Sequence, residues 1–214
     1  AGLIHLLLHH FRIPLNKESK MIRLVFGVGF NDGKYPAKVN GKTIKEYNLW
    51  CGLLERCYCP KLQKKRPTYI GCLVSENFKS YSYFYDWVQK QIGFGEKGFQ
   101  LDKDLIFKGN KLYSEETCLF LPSELNSLLT TRKAARGILP VGVSANGNGF
   151  QAGCCTDKTS LSRYLGRFNT PELAFQAYKQ AKEDFIKLQA EKWKALIDPR
   201  AYAALMAYTI SITD

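Results

Sequence analysis

Thr170-Pro171-Glu172 limits what this chain can fold into more than any other short segment. A threonine side chain accepts a first-turn backbone N–H, a proline is tolerated in the first turn, and an acidic residue there faces the positive end of the helix. Ala174, Ala177, Tyr178, Ala181, Phe185 and Leu188 follow at helical spacing and predict one buried face. Upstream, "VGVSANGNGFQAGCC" and "TSLSRYLGRF" read as short strands around Gly/Asn turns. Three short strands and one amphipathic helix predict a unit over residues 140–195 that folds by itself from Pro140, with 196–214 as a C-terminal appendage. One helix covers one face of such a sheet and leaves the other available to a ligand.

The preceding residues mix both kinds of element. Thr43 and Glu46 in "TIKE" have capping-box spacing and predict a helix from about Lys45, with Ile44, Tyr47, Trp50, Cys51 and Leu54 on its apolar face. "CPKLQKKRPTYIG", residues 59–71, reads as a basic loop punctuated by two prolines. Ser75 predicts the cap of a second helix with an aromatic face of Phe78, Tyr81, Phe84, Tyr85 and Val88. "FQLDKDLIF" predicts a short strand, "KGN" a turn, and "LPSELNSLLT" a helix starting at Pro122. Residues 127–139 form a basic connector carrying Arg132, Lys133 and Arg136. The fold class is therefore α+β.

Charge narrows the partners. A formal net charge of +12 over 214 residues attracts phosphate backbones or anionic surfaces. The body of the chain has no apolar run approaching the about 18 residues of a membrane span, so double-stranded DNA is the expected partner and a membrane is not; the charge alone leaves RNA open. Seven cysteines, an odd number, read as reduced thiols in a cytoplasm rather than as a disulfide framework. The opening "AGLIHLLLHHFRIPLNKESK" lacks the features of a secretory leader, and Met21 looks like a natural start, so residues 1–20 read as an upstream extension or a remnant of expression. All three histidines, His5, His9 and His10, lie in that segment.

The C-terminal unit carries "GVS" (residues 142–144), "FQA" (150–152) and "YLGRFNTPELAFQAY" (164–178). Over about 140–187 it resembles the ethylene-response-factor type (apetala) DNA-binding domain. That resemblance implies a three-stranded sheet docked in the major groove, which admits a β-ribbon as well as a helix. The candidate contacts on strands and turns are Ser144, Asn146, Asn148, Gln151, Lys158, Arg163 and Arg167, together with the connector's Arg132, Lys133 and Arg136.

The segment "WCGLLERCYCPK" (50–61), then "PTYIGCLVSENF" (67–78), "LDKD" and "KGNKLYSEETCLFLP" resembles the phage and prophage branch of the HNH endonuclease family. The resemblance implies a small β-β-α metal-type nuclease module in a domain over residues 21–126, and metal-dependent hydrolysis of phosphodiester bonds. It places the metal carboxylate on Asp102 and the late asparagine on Asn126. The family's general-base histidine falls on Lys103, and its middle asparagine near Thr117 or Cys118, neither a good ligand for a hard cation. An ordinary lysine, with pKa about 10.4, is protonated at neutral pH. Lys103 would act as a base if desolvated or as a cation in the transition state, or Asp104 or a metal-bound hydroxide would replace the imidazole. The expected site is thus Asp102 and Asp104 holding Mg²⁺ or Mn²⁺, with Lys103, Asn126 and the supporting Asn110 around them. Cys57, Cys59, Cys72 and Cys118 are the thiols available to a structural Zn²⁺, although Cys-x-Cys with isolated partners lacks paired C-x₂-C spacing.

Two functions follow from these expectations: a DNA endonuclease with a C-terminal sheet that reads DNA, or a non-cleaving DNA-binding protein on a degenerate nuclease scaffold.

Overall fold

A computed structural model describes residues 23–130, 138–155 and 162–214. In chain order the first elements are β1 (Lys38–Val39), β2 (Lys42–Thr43), α1 (Lys45–Tyr58), α2 (Pro60–Lys65), β3 (Leu73–Val74) and α3 (Tyr81–Val88). Next come β4 (Phe99–Asp102), β5 (Leu112–Tyr113), β6 (Leu119–Pro122) and α4 (Ser123–Leu129). The chain ends with β7 (Val143–Asn146), β8 (Gly149–Cys155), β9 (Ser162–Phe168), α5 (Pro171–Trp193) and α6 (Pro199–Met206). The architecture is α+β, with one three-stranded antiparallel sheet ordered β7-β8-β9 and two-stranded pairs elsewhere. No helix among the described residues is long and apolar enough to cross a membrane.

The chain divides into two compact units. The first runs to Phe94 and takes in residues 107–118; the second comprises residues 95–106 and 119–214. This division runs through the 21–126 span read from the sequence as one domain. The strands β4 and β6 and helix α4 go with the C-terminal sheet.

In the first unit α1 starts at Lys45, where the spacing puts it, but not through a capping box. Ile44 occupies the cap position, and no side chain caps the helix. Thr43 pairs with Lys38 in the β1–β2 ladder, and the Glu46 carboxylate accepts from Gln89 Nε2 at 2.6 Å. Ser75 Oγ accepts from Phe78 N at 3.3 Å, ahead of a 3₁₀ turn over Asn77–Lys79 whose cap position is Glu76. Ser80 is the cap of α3, accepting from Tyr83 N at 3.3 Å. The aromatic stripe is core, with Phe78, Tyr81, Phe84 and Val88 fully buried beside Trp50, Leu53 and Leu54 of α1. The Trp50 indole donates to Phe78 O at 2.8 Å, which satisfies the one polar atom that its burial would strand. Within the segment read as a basic loop, Pro60 opens the short helix α2.

The second unit is built on the three-stranded sheet. Gly147, at φ 57°, supplies the first central residue of the β7–β8 hairpin, the left-handed position a tight type II′ turn reserves for glycine. Thr170 caps α5 by accepting from Leu173 N at 3.3 Å, and Pro171 follows in the first turn. Gly142 (φ 75°) lets the backbone lie against Tyr178 of α5, where a Cβ would overlap the tyrosine ring.

The unit's core extends well beyond residues 140–195. Leu105, Leu119, Leu121 and Leu125 join Ala152, Cys154, Ala174, Phe175 and Ile186 in one buried cluster. Ile197, Ala201, Leu205 and Ile210 belong to it as well, so the C-terminal segment is a structural layer rather than an appendage. The same extension explains why the buried face of α5 departs from the expected one. Past Tyr178 it continues through Ile186 and Ala190, not Phe185 and Leu188, in a 23-residue helix that packs on α6 and α4 as well as on the sheet.

Candidate nucleic-acid interface

Strand register decides which side chains the sheet presents away from α5. Val143, Phe150, Ala152 and Phe168 line the helix side. The alternate positions form the opposite face: Ser144 stands beside Gln151, Gln151 beside Arg167, and Gly153 beside Tyr164. Side-chain hydrogen bonds cross this face. Asn146 Nδ2 donates to Gln151 Oε1 at 2.9 Å, and Gln151 Nε2 donates to Ser144 Oγ at 3.0 Å. The two amides are thereby held in one orientation. Arg167 lies close to the β7–β8 turn and is exposed, and Asn148 is exposed in that turn.

Two residues differ from the sequence reading. A register shift at Ala152/Gly153 leaves Leu165 unpaired, so Arg163 falls opposite the buried Cys154. Its side chain lines a groove of about 680 Å³ with Leu165 and with Ala181, Asp184 and Phe185 of α5, on the helix side of the sheet. Tyr164, which the sequence reading passed over, is 61% exposed and takes a place on the outward face. Alternation counted through β9 would find it only if the bulge were known. Arg132, Lys133, Arg136 and Lys158 lie outside the described residues.

The antiparallel β4–β6 pair and α4 follow the strand-strand-helix order that the nuclease resemblance implies, but residues 103–118, with β5, intervene between the two strands. Asp102 ends β4 opposite Leu119, and Asn126 lies on α4. The chemistry at Asp102 is that of a turn cap. Its Oδ2 accepts the backbone N–H groups of Asp104 and Leu105, each at 2.8 Å. Burial pushes its carboxyl above the usual carboxylate range, against the opposing pull of those two N–H bonds. Lys103 is 7% exposed and its ammonium is ion-paired with Asp104, whose own side chain is half exposed. Asn126 Nδ2 donates to Gln100 Oε1 at 3.2 Å. The C-terminal segment adds Tyr208, whose phenol is pushed up by burial and by the carboxylates of Asp214 and Asp102.

These residues do not fit a divalent cation. One oxygen of Asp102 is committed to two backbone donors, and the ammonium beside Asp104 already balances that carboxylate. Mg²⁺ and Mn²⁺ need several hard oxygen donors in a defined shell. Among the described residues, no three of His, Cys, Asp or Glu stand together as a group that could hold a metal. The remaining expected supports belong to the first unit. Asn110 closes a local turn, donating to Leu112 O at 2.6 Å, and Thr117 and Cys118 are buried. Cys57 and Cys72 are buried as well, and Cys59 is half-buried.

Comparison with protein-family models, with curated proteins and with solved structures finds no match to this chain.

Proposed function

We propose that the protein binds double-stranded DNA through the outward face of the β7–β9 sheet and does not cleave it. The observation that carries this reading is the ordered polar row Ser144, Gln151 and Asn146 with Arg167 and Tyr164 beside it, on a sheet whose other face is sealed by α5. Amides held at fixed angles suit adenine edges, an arginine suits guanine or phosphate, and a strand pair has the dimensions of the major groove. A reducing bacterial cytoplasm suits a chain whose seven cysteines form no disulfide.

A second reading, a metal-dependent endonuclease, is favoured by one observation. Asp102 stands at the end of the first strand of a strand-strand-helix segment with Asn126 on the helix. One experiment separates the two. The protein is incubated with supercoiled plasmid and Mg²⁺ or Mn²⁺, with an EDTA control, while duplex affinity is followed by fluorescence anisotropy across a salt series. Binding with a steep salt dependence and no nicking is the expected result. Nicking that EDTA stops and Asp102→Asn removes would establish the endonuclease. A preference for RNA over duplex DNA, or a salt-independent affinity, would overturn the groove-binding reading.

A further inference from the structure

The first unit carries a cationic surface that the sheet does not use. Between residues 51 and 70 five cations, Arg56, Lys61, Lys64, Lys65 and Arg66, face a single carboxylate, that of Glu55. None of the five is ion-paired with a described carboxylate, although such pairs hold lysines elsewhere in the molecule. Lys61, Lys64, Lys65 and Arg66 are exposed along α2 and its end, and the three lysines follow the i, i+3, i+4 spacing that puts them on one face.

This surface is built rather than merely charged. The Gln63 amide reaches from α2 to the end of α1, donating to Cys57 O at 2.7 Å, so the two helices meet at a fixed angle. Between them runs a groove of about 350 Å³, lined by Asn48, Leu62, Arg56, Arg66 and Tyr69 with the Glu55 carboxylate beside them. Arg56 Nε donates to Gly52 O at 3.1 Å, and the guanidinium lies over the Tyr113 ring at 5.4 Å and the Tyr69 ring at 6.0 Å. A planar cation fixed by a carbonyl and two rings keeps donors for a phosphate and loses little freedom in binding one. Lys111, donating to Thr68 O at 2.6 Å, extends the positive rim.

We infer that the α1–α2 surface is a second nucleic-acid contact, holding the sugar-phosphate backbone through Arg56, Arg66 and the α2 lysines without reading sequence. The ligand class rests on the DNA-binding reading above; the surface is separate from the sheet. A membrane is the weaker occupant, because an interfacial helix needs a broad apolar face, and the one large apolar residue of the six-residue α2, Leu62, turns into the groove.

The test uses the full chain and a duplex of about 30 base pairs, with affinity measured from low to high salt. The variants are Lys61→Gln/Lys64→Gln/Lys65→Gln, the matching triple arginine variant, and Arg167→Ala. The slope of log K against log [salt] changes by about 0.9 for each phosphate that the protein no longer neutralises. The triple glutamine variant should therefore flatten it by about 2 to 3 and weaken low-salt binding at least about tenfold, with an unchanged melting curve. The triple arginine variant should keep the wild-type slope. If the glutamine variant binds as wild type while Arg167→Ala does not, the second surface is refuted and the sheet reading stands. If the wild type does not bind duplex, both fall. Loss of binding to phosphatidylserine vesicles with DNA affinity intact would assign the surface to membranes and overturn the inference.

Discussion

The strand-strand-helix segment around Asp102 and the three-stranded sheet around Gln151 belong to the same unit and treat their polar residues in opposite ways. At Asp102 the carboxylate is turned onto its own backbone, and the adjacent lysine is buried against Asp104. At Gln151 the amides are tied to one another across the surface, among exposed neighbours. The first arrangement stabilises a turn; the second orders the side chains of an exposed face. Residue types that suggest chemistry in a sequence therefore divide by what their polar atoms already satisfy. Asp102 directs its oxygen to the backbone of its own turn, whereas the sheet's amides bond to one another on an exposed face.

The comparison breaks most decisively if the two segments prove structurally independent. A fragment of residues 140–214 retains the sheet, α5 and α6 but lacks Leu105, Leu119, Leu121 and Leu125. Each fully buried leucine contributes about 1.5–3 kcal/mol, and four together are comparable to the whole stability of a domain this size. The fragment should give no cooperative melt by circular dichroism; a sharp transition near that of the full chain would show that the β4–β6 pair and α4 are dispensable. Next in size is Gly142→Ala, which forces a side chain into the Tyr178 ring at a left-handed backbone position. It should cost about 2–3 kcal/mol in denaturant melts.

On the sheet, Tyr164→Ala and Arg167→Ala should each weaken duplex binding roughly tenfold. Arg163→Ala, on the helix side of the bulge, should change it less than about twofold. Equal losses for all three would mean that the bulge does not set the outward face.

The smallest effect sharpens the role of Asp102. Asp102→Ala removes the acceptor for two backbone N–H groups and should cost about 1 kcal/mol. Asp102→Asn keeps an acceptor and removes the charge. Because burial raises this carboxyl's pKa in the folded protein, the folded state favours its protonated form. Its contribution is present below the ordinary aspartate pKa of about 3.9 and is lost as pH rises through the elevated folded value. Asp102→Asn should thus match or exceed wild-type stability at pH 7, with that advantage gone by about pH 4. A loss at pH 7 as large as that of Asp102→Ala would mean that the charge itself stabilises the turn.

What was legible in the sequence was local. Thr170-Pro171-Glu172 placed the start of α5 because cap, proline and first-turn acid act within one turn. The Gly/Asn turns marked the hairpin, and the start of α1 near Lys45 and a strand beginning at Phe99 were likewise readable, although that strand stops at Asp102 rather than running to Phe107. Reasoning failed where an alternative acceptor or a distant element competed. Glu46 found Gln89 rather than a cap, Ser80 capped α3 in place of Ser75, and the buried stripe of α5 ran through Ile186 and Ala190 instead of Phe185 and Leu188. The bulge that moves Arg163 to the helix side and Tyr164 to the outward face depends on pairing between strands, and no pattern within β9 announces it. The sequence by itself determined where α1 and α5 begin, where the β7–β8 turn falls and that the chain is cationic, because propensity, capping and charge act over a few residues. Only the tertiary structure decided which polar atoms those elements satisfy internally and which they present, because that depends on register and on packing between segments far apart in the chain.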